Sequence, residues 1–203
     1  MPTLFNCHPS LLLVSSALVL TACSPDAPTQ TTASTDLSGP MPAFRSVLDG
    51  KPRVLTVRLD DELSVAYDTD GGELYKVWDG RVEFSGAVYD QKHGPQPTTP
   101  PRNYLLNGAS HWADGIDYQG YRLNGDSAQL RFGNGDITIT ETPSHALSAE
   151  GVILTRTFEV NGLSGEQQAT LAGLALPQSF DVKGDGAIEG DTLHLSNGTT
   201  ILT

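Results

Sequence analysis

Arg53-Val54-Leu55-Thr56-Val57-Arg58-Leu59 sets the period of this chain. Apolar and polar residues alternate along it, and a repeat of two is that of a strand with one face on a core. Outward from it the pattern recurs at residues 63–67 and 74–78, which are separated by Asp70-Gly71-Gly72. Asp79-Gly80 then reads as a tight hairpin turn joining residues 75–78 to 82–84, because Asp-Gly supplies the positive φ that such a turn demands. Further on, residues 117–123, 128–132 and 137–142 alternate again, joined by Asn124-Gly125-Asp126 and Gly133-Asn134-Gly135-Asp136. Residues 152–160 and 166–171 follow, and residues 191–195 and 199–202 read as a closing hairpin about Asn197-Gly198. Turns at this spacing, with no sustained helical stripe, predict an all-β fold. The expected architecture is an antiparallel β-sandwich, in its larger form a mutarotase-like super-sandwich, with little or no helix outside an N-terminal signal segment.

The rhythm breaks over residues 90–115. Gln91-Lys92-His93-Gly94-Pro95-Gln96-Pro97 and the prolines at 100 and 101 cannot form a central strand. A long loop without its own pattern is usually functional or disordered. Around it stand Tyr89, His93, Gln96, Tyr104, His111, Trp112 and Asp114. Rings to stack and polar groups to orient are what a sugar-binding cleft needs. The competing reading is a rigid connector whose aromatics pack on the sandwich edge.

The N-terminus carries a different message. An apolar run at residues 11–20 is too short to span a bilayer, which takes about 20 residues, but has the length of a signal-peptide core. It ends on Leu20-Thr21-Ala22-Cys23, which resembles the lipobox of bacterial lipoproteins, although no Lys or Arg precedes the run. Residues 1–22 are therefore expected to be a lipoprotein signal peptide, with Cys23 the lipidated residue that anchors the chain in a bilayer through palmitate-type acyl chains. Stable anchoring takes more than one such chain. Ser24 after the cysteine fits sorting to an outer membrane, with the protein facing the periplasm. Residues 23–45, rich in Ser, Pro, Thr and Ala, bury too little to order themselves and read as a flexible tether. Residues 46–203 are left as one β-sandwich domain.

A net charge of −12 argues against nucleic acid as a partner and against lying flat on an anionic lipid surface. Of two cysteines, Cys7 would leave with the signal and Cys23 would be consumed by lipid. The folded part thus has no thiol chemistry, disulfide, cysteine–zinc site or Cys-x-x-Cys-His haem attachment.

Other motifs are weak. His93 and His111 have no ligand-type spacing, so no metal site is expected. Asp68-Thr69-Asp70-Gly71-Gly72-Glu73 lacks the third carboxylate of a calcium loop and reads as a turn. Asp114 and Asp117 could pair for glycoside hydrolysis, but carboxylate separation is a spatial matter. There is no Gly-x-Ser-x-Gly elbow. Gly184-Asp185-Gly186 lacks the context of a dinucleotide fingerprint. Asn197-Gly198-Thr199 is better read as a turn than as a glycosylation site.

Residues 63–70 and 74–80, with Val82, Phe84, residues 86–89 and residues 93–97, resemble a β-sandwich module of bacterial periplasmic multidomain proteins. There the module accompanies c-type cytochrome domains and sugar-dehydrogenase-like propellers. Gly120-Tyr121-Arg122-Leu123 and Leu130-Arg131-Phe132 are similar to its second part. The resemblance implies an envelope setting, a β-sandwich, and contact with carbohydrate or a c-type cytochrome partner. It implies no catalytic residue or cofactor, and the haem motif is missing.

The function expected first is a non-catalytic ligand-binding or docking domain with Trp78, Tyr89, His93, Gln96 and Trp112 as contacts. A sugar-active hydrolase or epimerase using His93, His111, Asp114 and Asp117 is the second reading, and a purely structural envelope lipoprotein the third.

Overall fold

Asp49 and Gly50 both have positive φ, 51° and 78°, the type I′ turn whose twist matches that of the strands it joins. They connect β1 (Ala43–Leu48) to β2 (Lys51–Arg58), and β3 (Leu63–Asp68), β4 (Glu73–Asp79) and β5 (Asn103–Leu105) complete a five-stranded antiparallel sheet in sequence order. The computed structural model describes residues 43–84, 95–105, 110–113, 115–124, 127–149, 151–176 and 179–203. All belong to one compact unit, Asp36–Thr203. The described residues are all-β, with no helix. Strand β1 takes in Ala43, Phe44 and Arg45 from the stretch read as tether. Ala43 pairs with Val57 and packs against the core, and Phe44 meets Phe84 at a ring distance of 5.6 Å.

A second sheet of eight strands contains β6 (His111–Trp112), β7 (Asp117–Asn124), β8 (Ser127–Asn134), β9 (Ile137–Ser148), β10 (Gly151–Asn161), β11 (Ala169–Ala172), β12 (Val182–Glu189) and β13 (Thr192–Leu202). Its order is β6-β11-β13-β10-β9-β8-β7, with β12 also paired to β13. The two ends of that order, β6 and β7, are joined by residues 113–116 alone. So short a link forces the sheet to curl into an incomplete barrel. The five-stranded sheet covers its open side, giving a β-sandwich-like fold. Between the sheets Leu55, Val57, Leu63, Val65 and Tyr67 meet Leu130, Phe132, Ile139, Phe158 and Leu195. Gly72, in the β3–β4 turn, is wedged against this core: a Cβ there would lie 2.9 Å from Trp112 Cδ1 and 3.0 Å from Phe132 Cε1.

The alternation in β2 puts Leu55 and Val57 inward, yet Thr56 and Arg58 on the other face are buried too. That outer face carries a second core of Leu48, Val54, Ala66, Tyr75 and Trp78, on which Val82 packs. The chain after β4 covers it. Glu83 bridges Thr98, and the Asp49 N–H donates to the Pro97 carbonyl at 2.9 Å. The expected hairpin about Asp79-Gly80 is therefore not formed. Gly80 donates its N–H to the Glu62 carbonyl and accepts the Ser64 hydroxyl at 2.7 Å. These bonds carry the chain across the end of β3, and β5 takes the free edge of β4.

Asn197-Gly198 is likewise not a turn. Strand β13 continues through it, with residues 196–199 bulging between the Leu195 and Thr200 pairs to β12 on one edge, and pairs with β11 and then β10 along the other. Between the last β10 pair, Val160–Gly198, and the first β11 pair, Ala169–Leu195, the Asn197 side chain fills the ladder. Its Oδ1 accepts the Leu163 N–H at 3.0 Å and its Nδ2 donates to the Leu163 carbonyl at 2.8 Å. Asn197→Ala leaves both backbone groups of buried Leu163 unpaired and is expected to cost about 1–2 kcal/mol. Urea unfolding should show a lower midpoint with an unchanged m-value.

Candidate functional site

Strands β9 and β10 alternate as a core-facing pair should, but each places one charge on the inward face. Along β9 the buried positions are Ile137, Ile139, Glu141 and Pro143, and along β10 they are Arg156, Phe158 and Val160. Arg156 donates to Glu141 through both Nε (2.7 Å to Oε1) and an Nη (3.1 Å to Oε2). Tyr67, from β3 in the opposite sheet, donates its hydroxyl to the same Oε1 at 2.6 Å. The guanidinium also lies 5.0 Å from the Phe158 ring. Burial and the Glu141 charge push the Tyr67 phenol well above its ordinary 10.0, so it stays protonated and donates. Burial pulls the Arg156 guanidinium down, but Glu141 more than offsets this, leaving it above its ordinary value. The trio is thus a neutral, hydrogen-bonded clamp between the sheets, with Glu141 already accepting three bonds.

Arg156 also forms part of the wall of a cavity of about 740 Å3. Leu74, Val77, Val152, Leu154, Leu174 and Leu202 give this wall its apolar character. The volume falls in the range of about 300–1,000 Å3 usual for small-molecule sites. The far half of the β9–β10 hairpin frames the opening. Beyond Glu141 strand β9 has lost its β8 partner, and before Arg156 strand β10 has no β13 partner. This two-stranded arm reaches the other sheet through His145, whose Nε2 lies 2.6 Å from Asp60 Oδ2 in the β2–β3 turn. Burial alone would raise the Asp60 carboxyl, but the N–H groups of Glu62 and Leu63 and the His145 ring lower it below 3.8. A depressed carboxyl contributes stability that is complete above its unfolded value and is lost as pH falls through the folded one. Unfolding midpoints measured between neutral pH and about pH 3 should fall less steeply in Asp60→Asn than in the parent.

Of the residues expected at a sugar site, the described ones are not brought together. Trp78 is 0% exposed and belongs to the outer core, whereas Trp112 is 7% exposed and packs between Phe132 (5.4 Å) and Phe158 (6.2 Å) in the inner one. A ring sealed in a core offers no face to a ligand, and the five-stranded sheet lies between these two. Gln96 is half-buried in the segment over the outer core, while Tyr89 and His93 lie outside the described residues. Of the hydrolase set, His111 and Asp117 are exposed on the terminal strands of the curled sheet; His93 and Asp114 are outside the description. The acidic turn is tied to cations, Asp68 to Lys51 and Asp70 to Arg53. Among the described residues no group of three His, Cys, Asp or Glu side chains could hold a metal.

Sequence reasoning missed the cavity. One signal for it was present: opposite charges at core-facing positions of two alternating strands, Glu141 in Ile-Thr-Ile-Thr-Glu and Arg156 in Leu-Thr-Arg-Thr-Phe. Compared with family models, curated proteins and solved structures, the chain matches none of them.

Proposed function

We propose that this chain is a lipid-anchored envelope lipoprotein whose β-domain binds a small ligand without chemically changing it. The observation that carries the reading is the 740 Å3 cavity between the sheets, apolar in its wall. Its one buried cation is already matched by Glu141. A fully bonded carboxylate and a protonated phenol supply neither a free base nor a nucleophile, which favours holding a ligand over transforming it. The anchor rests on the lipobox-like Leu20-Thr21-Ala22-Cys23 and on the acyl groups Cys23 would carry. Of the ligands and partners raised by the sequence, carbohydrate loses two of its three candidate stacking rings, Trp78 and Trp112, to the cores.

Two measurements test this reading. Cells fed a labelled fatty acid should yield labelled protein in the membrane fraction, and Cys23→Ala should abolish both label and membrane retention. A solvatochromic apolar dye should bind the protein saturably at one site. Val152→Trp, which fills the cavity from the half-buried wall of β10, should remove that binding while leaving the unfolding free energy within about 1–3 kcal/mol of the parent. A folded Val152→Trp protein that binds dye as before would place the ligand elsewhere.

A further inference from the structure

We infer that the ligand of this cavity is an acyl chain, held inside with its headgroup left in solvent; the inference rests on the ligand-binding reading above. Three observations carry it. The deep wall is aliphatic, and the two aromatic rings of the lining, Tyr104 and Phe180, stand at the rim, each 44% exposed. A flexible chain fits such a wall, while a flat ring system would have no face to stack on. Second, the buried charge in the wall is neutralised within the protein by the two-bond Arg156–Glu141 pair, so nothing inside calls for a charged ligand group. Third, polar groups gather at the opening. Ser148, Ser179 and Asp181 are exposed there, and Ser110 is the buried hydroxyl of the lining. A sugar inside would leave several hydroxyls unsatisfied at a cost for each, whereas methylenes need no partners. Exposed Ile153 and Phe180 extend the apolar surface outward at the mouth, where the first carbons beyond a headgroup would lie.

Burial of one methylene strengthens binding about fourfold. The test uses the full chain, made without acylating enzymes so that Cys23 stays a thiol, and free of detergent. Bound dye is displaced with saturated fatty acids of stepwise increasing length, with lysophosphatidylcholines of the same lengths, with an oligosaccharide, and with an extended apolar peptide. The expected result is displacement by both lipid series. Affinity should rise about fourfold per methylene until the cavity is full, then level off, and should be nearly independent of headgroup. Val152→Trp should bring the plateau to shorter chains or abolish binding. If that variant fails to fold, Leu154→Gln should weaken every chain length alike. Affinity that ignores chain length, or displacement by sugar or peptide but not by lipid, overturns the acyl-chain inference and leaves the binding reading standing. Absence of dye binding in the parent protein overturns both.

Discussion

Glu141→Ala should destabilise the domain by about 3–5 kcal/mol, the usual cost of stranding one member of a buried ion pair. Glu141 has no exposed surface and accepts from both Arg156 and Tyr67. Its loss leaves a guanidinium and a phenol without acceptors in a region otherwise built from Phe158, Ile139 and Leu130. The arginine cannot escape by deprotonating, since its pKa lies far above any working pH. Denaturant unfolding checks the magnitude. The double variant Glu141→Leu with Arg156→Met should recover most of the loss, because replacing both ions by apolar groups of similar size is often neutral or better. A single-variant loss below about 1 kcal/mol would mean that water reaches the pair and that it behaves as an exposed bridge.

The second large effect is expected at Gly184. Between its pairs at Gly184 and Gly186, strand β12 has a single residue, Asp185, facing residues 196–199 of β13, so the bulge lies on β13. The Asp185 carboxylate takes the place of a backbone acceptor, receiving the Thr199 N–H at 3.0 Å. Gly184 has φ +93°, and a Cβ there would fall on the Thr199 carbonyl oxygen of the paired strand. Gly184→Ala therefore combines a disfavoured backbone region, about 1–2 kcal/mol, with a main-chain clash that cannot be relieved by turning a side chain. A loss of about 3 kcal/mol or more is expected, and the β12 edge should separate from β13. Gly190 is the control, with φ +63° and open space around it. Gly190→Ala should cost only the backbone part, about 1 kcal/mol. Equal losses at the two sites would show that the backbone conformation, and not the close approach, sets the cost.

Most strands could be read from the period of two, because β2, β3, β8, β9, β10 and β13 each keep one face on the inner core. The readings that failed share a physical cause. Asp79-Gly80 and Asn197-Gly198 carry the composition of turns, but what the chain does there is set by partners far away in sequence: Glu62 and Ser64 for the first, Leu163 for the second. Asp49-Gly50 is a type I′ turn without a signal of its own, because residues 43–48 before it do not alternate. Gly184-Asp185-Gly186 lies in a strand that its composition hides, since its glycines, set opposite the bulge of β13, leave little hydrophobic pattern. Trp78 and Trp112 show why the site was less legible: aromatics near a proline-rich loop suit either a cleft or a core, and only burial separates the two. The cavity could not be read locally at all. Its wall draws on β4, β10, the β11–β12 connection and the end of β13, which no sequence window contains together.

The arm formed by residues 142–148 and 151–155 has a consequence for how quickly the cavity can open. Two strands without further partners are marginal alone, and this arm is fastened by His145–Asp60 and the packing of Val152 and Leu154. Its amides can exchange with solvent through local excursions while those of β8 and the inner half of β10 wait for global unfolding. The mouth of the cavity is thereby edged by a ribbon whose excursions are set by its own local free energy and not by that of the domain. A mouth edged in this way can widen and narrow many times within the lifetime of a single folded molecule.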